Sequence, residues 1–102
     1  MTGGIVTKAD IVDIIASATG LTKVETEAVV DGFIQTVINA MREGKHIEIR
    51  GFGSFKVKKR KGRVARNPRT GAQVMVDEHY VPIFKVSKEL KHAVDESLKK
   101  GQ

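Results

Sequence analysis

Thr7-Lys-Ala-Asp10 has the spacing of a helix capping box, with Asp in place of the usual Glu or Gln, and Ile11, Ile14, Ile15 and Ala18 follow at helical spacing. Gly20 ends this first helix. Thr22-Lys-Val-Glu25 is a better capping box, and it opens a longer stripe of Val30, Phe33, Ile34, Val37, Ile38 and Met41 that Gly44 closes. Two helices joined by so short a turn predict a helical hairpin over about 7–44, with the apolar stripes facing inward.

From Lys45 the period changes to two. Ile47 and Ile49 alternate with His46, Glu48 and Arg50, and Phe55 and Val57 resume the alternation after Gly51-Phe-Gly53. This predicts two strands joined by a tight glycine turn. Beyond Val57 the alternation loses its apolar half, and Lys58 to Arg66 is almost wholly basic or small. Asn67-Pro-Arg-Thr-Gly71 supplies turn-forming residues, after which Val74 and Val76 alternate again toward Tyr80, Val81, Ile83, Phe84 and Val86. The basic run is thus one side of a long hairpin with its tip near Asn67 to Gly71, and with so few apolar residues it should project into solvent as an arm. Pro82 belongs at an edge or a bulge, because it cannot donate to a sheet ladder. Ser87 is placed as the cap of a last helix bearing Leu90, Ala93, Val94 and Leu98. The fold class is α+β: helical hairpin, three-stranded antiparallel sheet and arm over about 45–86, and C-terminal helix over about 87–100, in a single domain spanning 1–102.

Composition sharpens this picture in two respects. The chain has 102 residues, 40% of them hydrophobic and 5% aromatic, with no Trp. Such a core is thin unless a second chain completes it. The charge of +6 is unevenly placed: residues 1–44 carry −3, residues 45–76 carry +9 and the remainder cancels. Between Lys56 and Arg69 the cations Lys56, Lys58, Lys59, Arg60, Lys61, Arg63, Arg66 and Arg69 meet no acid, which suits a polyanionic partner.

The same residues argue against catalysis. The chain has no cysteine, so disulfides, thiolate nucleophiles and cysteine-ligated zinc are excluded. His46, His79 and His92 form no metal-ligand spacing and are read as exposed; Asp10 and Asp13 share a solvated helix face; no serine has an activating motif. No phosphate-binding lysine follows Gly51-Phe-Gly53, whose glycines are assigned to a turn or bulge. No enzyme, metal or cofactor is expected. Without an apolar run of about 20 residues or a secretory start, the chain reads as a non-membrane, intracellular protein.

A two-stranded ribbon can follow a DNA groove while Arg and Lys neutralise phosphates. Pro68 is open to two readings, an ordinary turn proline or an apolar wedge that unstacks a base step and kinks the duplex.

Gly51-Phe-Gly-Ser-Phe55, Arg66-Asn-Pro-Arg-Thr-Gly71 and Tyr80-Val-Pro-Ile-Phe-Lys85, in this order and spacing, resemble the signature of the bacterial HU and integration host factor family. The likeness runs from about Thr7 to Val94. It implies an intertwined dimer whose arms enter the DNA minor groove, with Pro68 as the intercalating residue. It also implies that Lys56, Lys58, Lys59, Arg60, Lys61, Arg63, Arg66, Asn67 and Arg69 form the DNA-binding arm, with Arg50, Lys85 and Lys88 on the body. Phe33, Phe52, Phe55 and Phe84 become the dimer core.

Ile47 to Phe55 and Tyr80 to Leu90 resemble the beta subunit of integration host factor, in which Glu and Arg at such positions can help to select sequence. Here Glu48 and Arg50 are read as structural or phosphate-facing. Two features depart from the family pattern: Val86-Ser87 before the last helix, and the extension Ser97 to Gln102, which lengthens that helix or frays. The expected function is an architectural homodimer that bends duplex DNA with little or modest sequence preference, in the cytoplasmic nucleoid of a bacterium. The alternatives are a site-specific subunit needing a different partner chain, as a heterodimer with a paralogue, and a basic RNA-binding module.

Overall fold

A computed structural model describes residues 4–100. In chain order the elements are α1 (Lys8–Thr19), α2 (Lys23–Arg42), β1 (Ile47–Ile49), β2 (Gly53–Arg60), β3 (Arg63–Arg66), β4 (Gln73–Val76), β5 (His79–Val86) and α3 (Lys88–Lys100). Both capping boxes form. The Thr7 hydroxyl accepts from the Asp10 N–H and the Asp10 carboxylate accepts from the Thr7 N–H, and Thr22 and Glu25 do the same for α2. These backbone donors hold the Asp10 and Glu25 carboxyls below their ordinary pKa values. Gly20 ends α1 with φ +79°, a left-handed conformation that favours glycine. Two ion pairs tie the hairpin, Lys8–Asp31 at 2.7 Å and Lys23–Asp13 at 3.3 Å.

The expected inward stripe is not what the hairpin buries. Val12 and Ala16 on α1, with Thr26 on α2, are its buried side chains, whereas Ile11, Ile14, Ile15, Phe33, Ile34 and Ile38 stay exposed. The contact face is one residue round from the isoleucines, which leaves the larger apolar groups on the outside. Thr26 is satisfied by donating its hydroxyl to the Thr22 carbonyl at 2.8 Å.

Strands β1, β2 and β5 form an antiparallel sheet in that order, with β2 central, and β3 and β4 form a separate two-stranded ribbon. Pro82 therefore lies on an edge strand, opposite Val57, where its missing N–H costs no ladder bond. Gly51 makes the β1–β2 turn at φ +83°, with the Phe52 N–H donating to the Ile49 carbonyl at 3.0 Å. Gly53 has a different role. It is buried, and a β-carbon there would stand 2.5 Å from the Lys85 carbonyl oxygen and 2.6 Å from the Phe84 ring, so glycine is needed for close strand packing. Ser87 caps α3 by accepting from the Leu90 N–H at 3.0 Å, and the helix continues through the C-terminal extension to Lys100.

This chain does not close a core on itself. Its radius of gyration is 19.0 Å, against about 13 Å for a compact domain of this length. Its accessible surface is 8806 Å², against about 5,700 Å² for a compact monomer of its mass. Helix α3 packs little on its own chain, and its stripe of Leu90, Val94 and Leu98 lines an open apolar cleft with Val86.

Candidate nucleic-acid interface

Register assigns the cations to faces. In β2 and β5, paired residues project to the same side, so Ile47, Ile49, Phe55, Val57, Pro82, Phe84 and Val86 share one face. The other face carries Lys56, Lys58, Arg60 and Lys85, interleaved with Ser54, Val81 and Ile83. Lys59 falls on the apolar side, opposite Tyr80, and reaches the Glu78 carboxylate at 3.2 Å. Among the described residues, no other basic side chain of the arm has a carboxylate within ion-pair distance. That leaves their field available to an external polyanion.

The body residues come together. Arg50 lines one open cleft of about 710 Å³ with Lys85 and Lys88, which are distant from it in sequence, and Lys56 joins them, as do Glu48 and His46. A concave surface with four cations is suited to a phosphate backbone.

Beyond Arg60 the ladder breaks at Lys61-Gly62, opposite Asp77-Glu78, and the arm continues as β3 and β4. Register places Arg63 and Ala65 with Val74 and Val76 on one face, and Val64 and Arg66 with Met75 and Gln73 on the other. All charge in this ribbon is on β3, since β4 is Gln-Val-Met-Val. The tip runs from Asn67 to Ala72 and is built by local bonds. The Asn67 side-chain oxygen accepts from the Arg69 N–H at 2.8 Å, the Gly71 N–H donates to the Asn67 carbonyl at 2.7 Å, and the Asn67 N–H donates to the Ala72 carbonyl at 2.8 Å. Gly71 takes φ +73°. Pro68, with Arg69 beside it, stands exposed at the outer end, its ring fixed in φ and with no N–H left unpaired.

Phe52, Phe55 and Phe84 form one cluster, with Phe84 centred 5.1 Å from Phe52 and 4.7 Å from Phe55. Phe33 lies apart on α2, half exposed. His79 carries information that single-sequence reading passed over: its ring Nδ1 is 2.9 Å from the Asp77 carbonyl oxygen, and the ring lines a cleft with Arg60, Lys61 and Arg63. Only strand register shows this, because Arg60 and His79 are far apart in the chain and directly opposed in the sheet. Among the described residues no group of side chains could hold a metal ion, and no helix is long and apolar enough to cross a membrane.

A mixed α+β body with a cationic β-ribbon, unpaired apart from Lys59, defines a ribbon-armed nucleic-acid-binding class of protein. Residues 6–95 match the family model described as bacterial DNA-binding protein. The chain is 43% identical over 96 residues to integration host factor subunit beta of Marinobacter nauticus, covering 93% of this chain and 98% of that one. It is 39% identical over 87 residues to DNA-binding protein HU of Pasteurella multocida, covering 85% and 97%. Among solved structures, an Anabaena HU–DNA cocrystal matches with TM-score 0.81 and 33% identity over 86% of this chain and 96% of that one. HU from Thermotoga maritima matches with TM-score 0.63 and 27% identity over 86% and 97%. This chain belongs to the bacterial DNA-binding protein family of HU and integration host factor.

Proposed function

We propose that the protein is an architectural homodimer of the bacterial nucleoid that binds duplex DNA with minor-groove arms and bends it by inserting Pro68. The observation that carries this reading is the arm itself, a ribbon whose cations, Lys59 apart, have no acid partners and which ends in a loop that holds one exposed proline at its tip. Cations supply affinity through counterion release, which is insensitive to sequence. An apolar ring at the tip supplies a wedge, and each unstacked step costs a few kcal/mol that the extra wrapped contact returns. The body cleft of Arg50, Lys56, Lys85 and Lys88 would take the flanking phosphates once the DNA curves back. Dimerisation covers the aromatic cluster, Phe33 and the stripe of α3.

Binding to intact, nicked and pre-bent duplexes across a salt series, with bend angle measured alongside, tests the reading. Log affinity should fall with log salt by about 0.9 per phosphate neutralised. Pro68→Ala should lower the bend angle while keeping most of the nonspecific affinity, and an unchanged angle refutes the wedge. Tighter binding to structured RNA than to any duplex refutes the DNA reading.

A second reading, a site-specific subunit, is favoured by the 43% identity to an integration host factor beta subunit. It predicts a strong preference for one DNA sequence and a weak self-dimer by sedimentation.

A further inference from the structure

His79 opens β5 and is paired in register with Arg60. Its Nδ1 lies 2.9 Å from the Asp77 carbonyl oxygen. A carbonyl can only accept, so Nδ1 carries the proton, and in the neutral ring Nε2 presents a lone pair. The ring lines a cleft of about 460 Å³ with Arg60, Lys61 and Arg63, above Val81 and Ile83. The charged groups around it are Arg60 from β2, Lys61 at the break and Arg63 from β3, with Asp77 and Glu78 preceding it in the link between β4 and β5. Of these acids, Glu78 is engaged by Lys59, and Asp77 meets the ring through its backbone carbonyl. Tyr80 alternates to the opposite face.

We propose that this cleft at the root of the arm binds a backbone phosphate of duplex DNA, and that His79 joins the contact only when protonated, so binding takes up a proton at each arm. The inference rests on the DNA-binding reading above. Three cations converge there without acid partners, which is the chemistry a phosphodiester requires. A phosphate oxygen is an acceptor and faces either a lone pair or an N–H at Nε2 according to the charge of the ring. Histidine is the side chain whose charge ordinarily changes between pH 5 and 8. By linkage, a proton bound with the ligand makes affinity rise as pH falls.

The test is the affinity for a short duplex by fluorescence anisotropy at constant ionic strength, near pH 6 and near pH 8. Wild type should bind about tenfold more tightly at the lower pH. His79→Asn, which keeps a donor for the Asp77 carbonyl but cannot titrate, should lose that tightening. His79→Lys, a fixed cation, should bind at both pH values as wild type does at the lower one. His92→Asn, on α3 away from the cleft, should keep the wild-type pH dependence. Equal pH dependence in wild type and His79→Asn overturns the inference while leaving DNA binding intact. Failure of wild type to bind duplex at either pH overturns the DNA-binding reading itself. Circular dichroism and sedimentation at both pH values confirm that each variant is folded and assembled.

Discussion

Replacing Gly53 by Ala adds one carbon at a crowded point of the sheet. The new β-carbon would stand 2.5 Å from the Lys85 carbonyl oxygen and 2.6 and 2.7 Å from two atoms of the Phe84 ring. Relief requires movement of nearly 1 Å to reach the ordinary contact distance of 3.4 Å. The Lys85 carbonyl belongs to β5, which is locked to β2 by the pairs Gly53 with Val86 and Ser54 with Lys85. The Phe84 ring is held between Phe52 and Phe55 at 5.1 and 4.7 Å, so rotating it away disturbs two aromatic pairs. Overpacking costs about 1–3 kcal/mol and each of the two lost aromatic pairs about 0.5–1.5 kcal/mol, which together predict a loss of roughly 2–6 kcal/mol. Urea unfolding at fixed protein concentration reads this directly as a lower midpoint. Because β5 carries Lys85 into the body cleft, DNA affinity should fall with stability. A change below about 0.5 kcal/mol, within the usual range of a surface substitution, would refute the close-packing argument.

Two other expectations concern the whole molecule. If a second chain covers the exposed apolar surface, the unfolding midpoint must depend on protein concentration: a hundredfold dilution should remove about 2.7 kcal/mol of apparent stability, and a midpoint independent of concentration would show that the monomer folds alone. Acid should weaken both helix starts, because Asp10 and Glu25 have pKa values lowered by the Thr7 and Thr22 backbone N–H groups. A lowered folded-state pKa adds stability that is present above the ordinary carboxylate range and lost as pH falls through and below it. The double variant Asp10→Asn, Glu25→Gln should therefore show a smaller drop in Tm than wild type between neutral and strongly acidic pH.

Wherever a few neighbouring residues suffice, the sequence alone determines the outcome in this protein. Thr7, Asp10, Thr22, Glu25 and Ser87 mark the helix starts because a cap bonds to an N–H three residues on. Gly20 and Gly51 mark turns because left-handed backbone favours glycine, and Asn67 to Gly71 closes its own loop. The concentration of positive charge in the arm is equally a property of the sequence. Tertiary structure decides which apolar residues are buried, because two helices meet on one line of contact only: Val12 and Ala16 lie on it, and the isoleucines one position away do not. Register then divides the cations, turning Lys58 and Lys59 to opposite faces although they are adjacent. It likewise gathers Arg50, Lys56, Lys85 and Lys88 into one cleft, and brings His79 to Arg60. Gly53 resembles a second turn glycine in the sequence, and only the passage of β5 beside it shows that its lack of a side chain is what allows the strands to meet. Caps and turns are local bonds and can be read locally, whereas burial and side-chain facing depend on what a distant segment places alongside.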